Sequence, residues 1–307
     1  YNAQDTIERA VLSALKQDWA NKEIIIVDDC SNDKSVEILR CLEGEHNEIK
    51  LIIHEKNGGP AAARQTILDH AEGEFIAFFD DDDESLQERL TVQSKKIKEY
   101  EVKPGASLIA CYASGTRLYP NGYEMPIQAI SSQGDEILQG NAVADYILFF
   151  GKDKKYFYGA GTPSCALMAR KSTFDTLGGF DSNFRRVEDL DFAVRLSLAA
   201  GYFIGCPEKL FVQHSTHSID KAGTKNLDAE MALARKHEAY LKSVGQYQYA
   251  LNWPKIRYHH FNKNYLSLLF ELLKLFCVSP KQVTKHFLES APKRFLHEIK
   301  MSKKQRT

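Results

Sequence analysis

The stretch FIAFFDDDDESLQERL, Phe75 to Leu90, drives five apolar residues straight into four consecutive aspartates. Two carboxylates about 4 Å apart repel by about 1 kcal/mol in water and about 4 kcal/mol at the effective dielectric of a protein. Four in a row at the mouth of an apolar strand therefore need compensation. One reading is a solvated acidic turn before a helix, since Asp is favoured in turns and near helix starts. The other is a seat for a divalent cation, whose oxygen ligands are carboxylates of this kind.

The flanking sequence sets the architecture. EIIIVDD at 23–29 is a continuous apolar run ending in Asp28 and Asp29, the pattern of a parallel strand covered on both faces. Upstream, residues 5–17 carry a helical apolar stripe, with Asp5 and Glu8 as a capping-box start. Downstream come a helix around Val36–Leu42, a strand at Leu51–His54 and the turn Asn57-Gly58-Gly59-Pro60. Pro60 then opens a helix that Gly73 closes. Ser85 and Glu88 form a second expected capping box, for a helix running to about Tyr100. Strands alternating with helices at this spacing predict an α/β fold with a mainly parallel, Rossmann-like sheet flanked by helices. In such sheets ligands bind beyond the carboxyl ends of the strands. Asp28/Asp29 and Asp80–Asp83 both fall at that edge, which favours the cation reading.

Beyond residue 105 the alternation weakens. A strand is expected over 107–119, a hairpin turn at PNGY, a short strand at 164–169 and helices at 170–177 and 188–200. The segments YFIGC and LFVQH read as strands ending near His214, followed by a polar loop at 215–224 suited to a lid. From about Asn226 the pattern is helical. The expected division is a catalytic, ligand-binding domain over 1–220 and a helical region with a basic tail over 221–307.

Composition narrows the classes. The chain has 307 residues, 43% hydrophobic and 26% charged, with a net charge of −1. That balance gives no electrostatic footprint for nucleic acid. Six scattered cysteines without a CxxC pair read as reduced, mostly buried thiols of a cytoplasmic protein. No apolar run is long enough to span a bilayer; 265–278 is too short and carries Glu271 and Lys274. That stripe reads as core or partner-facing.

In order along the chain, YN at 1–2, IIIVDDCSND at 24–33, NGGPAAARQ at 57–65, AEGEFIAFFDDDDE at 71–84, GGFD at 178–181 and RRVEDLDFAVRL at 185–196 resemble the signature blocks of family 2 glycosyltransferases. The resemblance covers roughly residues 1–215. It implies a GT-A fold of the bacterial surface-polysaccharide type. The implied enzyme transfers a sugar from a nucleoside-diphosphate-sugar, UDP favoured over GDP, with inversion, to a hydroxyl of a glycan or lipid-linked acceptor. It also implies a first strand preceding Tyr1, so the chain is expected to be part of a longer one.

The resemblance carries roles to matching positions. Tyr1, Asn2, Asp29, Arg64, Asp80 and Asp82 are expected around the donor nucleotide. Asp82 and Asp83 are expected to hold Mn2+ or Mg2+, with His214 a further candidate. Here Asp81 occupies the position between the motif's carboxylates, where the family carries a small or neutral residue. Asp189 is the candidate general base and Glu188 shapes the acceptor end. As structural alternatives, Arg64 could make a surface ion pair, Asp28 and, less so, Asp29 could only cap the next helix, and Glu188 with Asp189 could only complement a helix dipole.

Two other classes stay in view. A sugar nucleotidyltransferase also binds nucleotide and Mg2+ on an α/β sheet but would want a glycine-rich, basic phosphate loop. A non-catalytic nucleotide-sugar binder would not need Asp82, Asp83 and Asp189 together. Finally, residues 279–307 hold eight Lys or Arg against two Glu, a local charge of +6 interleaved with apolar residues. A peripheral contact with the anionic inner face of the membrane is the expected use.

Overall fold

Pro60 shows how local sequence sets an element here. It occupies the first turn of a helix over Pro60–His70, where its missing N–H costs nothing, and Gly59 before it takes φ 86, a conformation disfavoured for residues with a Cβ. The structure is a computed structural model, and it describes residues 1–215 and 223–289. The expected lid at 215–224 and the expected tail at 279–307 lie largely outside those residues.

The helices are α1 (Ile7–Leu15), α2 (Ser35–Glu45), α3 (Pro60–His70), α4 (Arg89–Glu101), α5 (Ala142–Phe149), α6 (Lys171–Leu177), α7 (Glu188–Leu198), α8 (Thr224–Lys236), α9 (Glu238–Ser243), α10 (Tyr247–Phe261) and α11 (Tyr265–Val278). The strands are β1 (Ile24–Asp28), β2 (Ile49–Ile53), β3 (Phe75–Ala77), β4 (Glu84–Ser85), β5 (Ile109–Leu118), β6 (Glu124–Ile127), β7 (Leu138–Gln139), β8 (Leu167–Arg170) and β9 (Tyr202–His214). A further helical stretch covers 280–289.

The chain forms two compact units. The first comprises 1–118, 124–144 and 152–215; the second comprises 119–123, 145–151 and the described residues from 223 onward. In the first, β1 and β2 pair in parallel, and a seven-stranded sheet runs β3-β8-β5-β9-β4, with β6 on β5 and β7 on β9. Helices cover these strands, as alternation predicts. The share of parallel pairing is smaller than alternation suggests. Among the described residues, beyond β1 and β2 only β5 and β9 run parallel; β3–β8, β5–β8, β5–β6, β4–β9 and β7–β9 are antiparallel. The hairpin after Leu118 and the short returning strand β8 account for this.

Three local expectations give way to longer-range contacts. Neither capping box forms: α1 starts behind Thr6 and α4 behind Glu88, each without a side-chain cap bond. Ser85 instead lies in β4 opposite Phe211, and its hydroxyl accepts from Arg89 Nη1. The two strands expected near 202–214 are one, β9, whose register against β5 shifts between Ala113 and Gly115. Pro207 sits at this irregularity, where no ladder donor is required. Across from it, Gly115 is obligatory, because a Cβ there would stand 2.5 Å from the Phe211 carbonyl oxygen. Cys111, Cys165 and Cys206 are buried as expected, but Cys30, Cys41 and Cys277 are exposed; all six are free thiols.

Core packing fixes the binding edge. Ile7 and Val11 of α1 meet Leu39 and Leu42 of α2 and Ile49 of β2. At about 1.5–3 kcal/mol per fully buried large aliphatic side chain, this cluster, with Ile24 and Ile26 packed against it, holds α1 and α2 on the β1–β2 pair. Phe78 stacks edge-on against Phe174 and Phe180, and Phe174 stacks on Phe192 of α7. That aromatic group ties the segment leaving β3 to the start of α7, more than 100 residues away in sequence. In the second unit Tyr249, Ile256, Leu275 and Val283 form a separate core, with Trp253 stacked on Tyr249.

Candidate active site

Asp80–Asp83 lie in the connection between β3 and β4. The antiparallel pairing of Glu84 with Val212 brings this turn beside the end of β9. Asp83 is pulled inward and is only 6% exposed. One of its oxygens accepts from the His214 amide at 3.2 Å. The other, Oδ2, is buried without a hydrogen-bond donor, an expensive state for a carboxylate. Burial first, then Asp80 and Asp82, push the Asp83 carboxyl up to about 7. Burial followed by Asp81 and Asp80 pushes Asp82 up to about 6. Oxygens of Asp80 and Asp83 and the Cys165 sulfur all lie within 4.8 Å of one another.

This donor set suits a hard divalent cation through its carboxylates. Carboxylate oxygens of Asp83 and Asp80 converge, and Asp82 follows in the same turn. Cys165 fits less well, since a thiol is a soft ligand. Burial and then Asp80 and Asp83 push that thiol well above its ordinary pKa, so it stays protonated. His214 is not gathered with them by its ring: Nε2 lies 3.0 Å from Glu84 Oε1, and only its main chain reaches Asp83.

The raised carboxyls make a stability prediction. A carboxyl that keeps its proton in the folded state to about pH 7, but releases it near pH 4 when unfolded, binds more protons folded than unfolded in between. Stability of the metal-free protein therefore falls as pH rises from about 4 to about 7. The Asp83 contribution is on the order of 4 kcal/mol, and the Asp82 and Asp83 titrations are coupled rather than additive. Urea denaturation in chelator across that range should show the decline, and Asp83→Asn should flatten it. An undiminished slope in the variant would contradict this account of Asp83.

Arg64 is where the turn meets α7. From α3 it reaches Asp80 Oδ1 with Nη2 at 3.2 Å and pairs Glu188 Oε1 with Nη1. Its guanidinium lies 5.8 Å from the Phe180 ring centroid. Burial works against its charge, but Asp80, Glu188 and Asp189 outweigh this and hold its pKa above the ordinary value. The surface-pair alternative for Arg64 is thus excluded: its side chain is 14% exposed and bridges two acidic motifs. Neighbouring Gln65 fixes the approach of the 178–181 turn, its Oε1 accepting from the Phe180 amide. Gly179 makes room for it, since a Cβ would fall 2.1 Å from that oxygen.

Glu188 and Asp189 open α7 behind Val187, which adopts φ 61. Glu188 is buried against Arg64, whereas Asp189 Oδ1 accepts from the Leu190 amide at 2.8 Å. Burial first, then Glu188, push Asp189 up to about 6, although Arg64 and the Leu190 amide pull the other way. Asp191 on the next turn bonds Arg195, which in turn donates to the Leu177 and Gly179 carbonyls. It is a strut for the glycine turn.

At β1, Asp29 accepts from the Gly58 amide (2.8 Å) and the Gly59 amide (2.7 Å), and lies 2.8 Å from His54 Nδ1. Burial raises its pKa, but these amides and His54 outweigh it, so the carboxyl sits below its ordinary value. Much of its accepting capacity thus braces the Gly-Gly-Pro turn. Asp28 accepts from the Ser31 amide and buttresses the adjacent turn. Asn2 locks onto that loop, donating from its amide to Ser31 and accepting from the Asn32 amide; Tyr1 is 54% exposed.

Sequence reasoning missed three contributors. His54 bridges Asp29 and Thr66. Cys165 stands beside Asp83. Arg89, 1% exposed, lies within 4.6 Å of the Phe79 ring centroid and donates to the Phe78 carbonyl, to Ser85 and to Gln93. Only the run of polar residues Arg89, Gln93 and Ser94 on one face of α4 hinted at a polar core there.

Comparison with known proteins bears on family and fold. The profile of glycosyl transferase family 2 matches residues 1–171. Among similar proteins, the Escherichia coli UDP-Glc:alpha-D-GlcNAc-diphosphoundecaprenol beta-1,3-glucosyltransferase WfgD is 42% identical over 93 residues, 30% of this chain and 36% of that protein. The Campylobacter jejuni GalNAc(5)-diNAcBac-PP-undecaprenol beta-1,3-glucosyltransferase is 35% identical over 100 residues, 32% of each chain. These matches span well under two thirds of either relative. Among solved structures, S. aureus TarS 1–349 in complex with UDP-GlcNAc aligns with TM-score 0.60 at 19% identity, over 92% of this chain and 80% of that one. Its complex with UDP aligns with TM-score 0.57 at 21% identity, over 86% and 71%. At such identities the likeness is one of fold, and that fold is GT-A. With more than half of its length matched by one family and the fold in agreement, the chain belongs to glycosyl transferase family 2.

Proposed function

We propose that this protein is a metal-dependent, inverting glycosyltransferase that moves a sugar from a nucleoside-diphosphate-sugar to a hydroxyl of a glycan or lipid-linked acceptor. The observation that carries this reading is the Arg64 bridge: one guanidinium joins Asp80 of the cation-seeking turn to Glu188, the neighbour of Asp189. Donor chemistry and acceptor chemistry are thereby held in one frame.

Asp80 and Asp83, with Asp82 beside them, would hold Mn2+ or Mg2+. When bound, the cation offsets the charge of the leaving diphosphate. Asp29, Asn2 and Tyr1 stand on the β1 side, where a nucleotide base would lie. Asp189 accepts the proton of the attacking hydroxyl; its pKa near 6 leaves it largely ionised at neutral pH yet basic enough for the task. The acceptor oxygen bonds the anomeric carbon as the bond from that carbon to the diphosphate oxygen breaks, and the nucleoside diphosphate departs. Glu188 positions Arg64 instead of handling the proton.

The preference for UDP over GDP rests on TarS having been crystallised with UDP and UDP-GlcNAc. The lipid-linked class of acceptor rests on relatives named for undecaprenol-diphosphate glycans. The basic segment 279–307 supports a working place at an anionic membrane surface; no helix of the described residues is long and apolar enough to cross a membrane.

Proton NMR of the transfer product from a panel of UDP-sugars, with Mn2+ and a diphosphate-linked glycan acceptor, tests the reading. Inverted anomeric configuration at the new linkage is expected. Retained configuration, or transfer undiminished by chelator, would overturn it.

A further inference from the structure

Helix α11 carries two apolar faces, and only one is used by the protein. Leu268, Leu272 and Leu275 turn toward Tyr249, Trp253 and their neighbours, which fixes the rotation of the helix. The opposite face presents Leu266 (85% exposed), Phe270 (59%) and Leu273 (57%), with Leu269 and Phe276 about half exposed. These positions recur at helical spacing and form one stripe. A contiguous exposed apolar face of this kind marks an interaction surface.

We infer that this face of α11 is an interfacial membrane anchor, seated in the headgroup region of an anionic lipid surface. It deepens the reading above by moving the contact from charge alone to a buried apolar face. The charge pattern selects lipid as the occupant. Lys263 precedes the helix, Lys281 follows it, and both are exposed. Lys274 lies within the stripe, its ammonium 4.0 Å from the Phe270 ring centroid. The one acid of α11, Glu271, is largely covered and paired with Lys274. At a bilayer interface a lysine extends its stem along apolar surface and leaves its ammonium among lipid phosphates. Against a second copy of this chain, the same lysine would be desolvated within an apolar contact, the environment from which lysine is depleted. Fourteen residues of helix reach about 21 Å, short of the about 30 Å hydrocarbon core. The helix therefore lies in the plane of the interface.

Sedimentation of the full chain with phosphatidylglycerol-containing vesicles, against vesicles of phosphatidylcholine alone, tests this without donor or acceptor, so it fails or succeeds independently of the transferase reading. Binding to the anionic vesicles is expected, weakened about tenfold or more by Phe270→Ser with Leu273→Ser. Lys274→Gln with Lys281→Gln should weaken it about fivefold per lysine and reduce the preference for anionic lipid. Unchanged circular dichroism shows that the exposed substitutions leave the fold intact. Equal binding of wild type and the Phe270/Leu273 variant would overturn the inference. So would vesicle binding lost only on removal of 290–307, or absence of vesicle binding with a dimer that the same variant dissociates.

Discussion

Replacing Asp189 by Asn is expected to lower turnover about 10^2- to 10^4-fold, the usual contribution of a general base, while the affinity for nucleotide should stay near that of the wild type. The substitution preserves size and the bond from the Leu190 amide, so the fold is not the variable. The pH profile separates this role from a structural one. In the wild type, kcat/KM is expected to rise with pH through an apparent pKa of about 6, where burial and Glu188 push the Asp189 carboxyl. In Asp189→Asn that limb disappears. Steady-state kinetics across pH checks both outcomes, and a variant that retains the limb would remove Asp189 from the proton transfer.

Arg64→Met is expected to act on stability first. Glu188, with its side chain 9% exposed, would be left buried without its counter-ion, and Asp80 would lose its neighbour in the acidic turn. Breaking one side of a buried ion pair costs about 3–5 kcal/mol. Neutralising the partner as well, in Arg64→Met with Glu188→Gln, should recover part of the loss. Chemical denaturation of the four proteins forms a double-mutant cycle whose coupling should exceed about 1 kcal/mol. Strictly additive changes would mean that the bridge carries no energy, and the joint frame for Asp80 and Asp189 would lose its support.

Much of this site could be read from one dimension, and the reasons are local. The apolar run at Ile24–Asp28, Pro60 behind two glycines, and the acidic stretch after Phe79 each signal an element boundary through residues adjacent in sequence. The placement of Glu188 and Asp189 at a helix start was equally visible. What escaped depends on partners far away. Ser85 reads as a helix cap until β9 claims it for a strand. Arg89 looks like an ordinary helix-surface arginine, yet it is the buried polar prop behind Phe78, a role set by the return of the chain through β5 and β8. His54 lies at a strand end without any motif, and its tie to Asp29 crosses 25 residues. His214 was grouped with the aspartates because β9 ends there; its ring turns instead to Glu84. The lower share of parallel strands has the same origin, since the short strands β4, β7 and β8 carry too few residues to announce their direction.

The central claim is that the turn at Asp80–Asp83 is completed by a cation and a nucleoside diphosphate. Calorimetric titration of UDP and of GDP into the protein, with and without Mn2+, tests it most directly. Binding of UDP that requires Mn2+, is weaker or absent with GDP, and is lost in Asp83→Asn is the expected result. Equal binding in chelator and in Mn2+, or binding unaffected by Asp83→Asn, would contradict it and return the four aspartates to a solvated acidic turn.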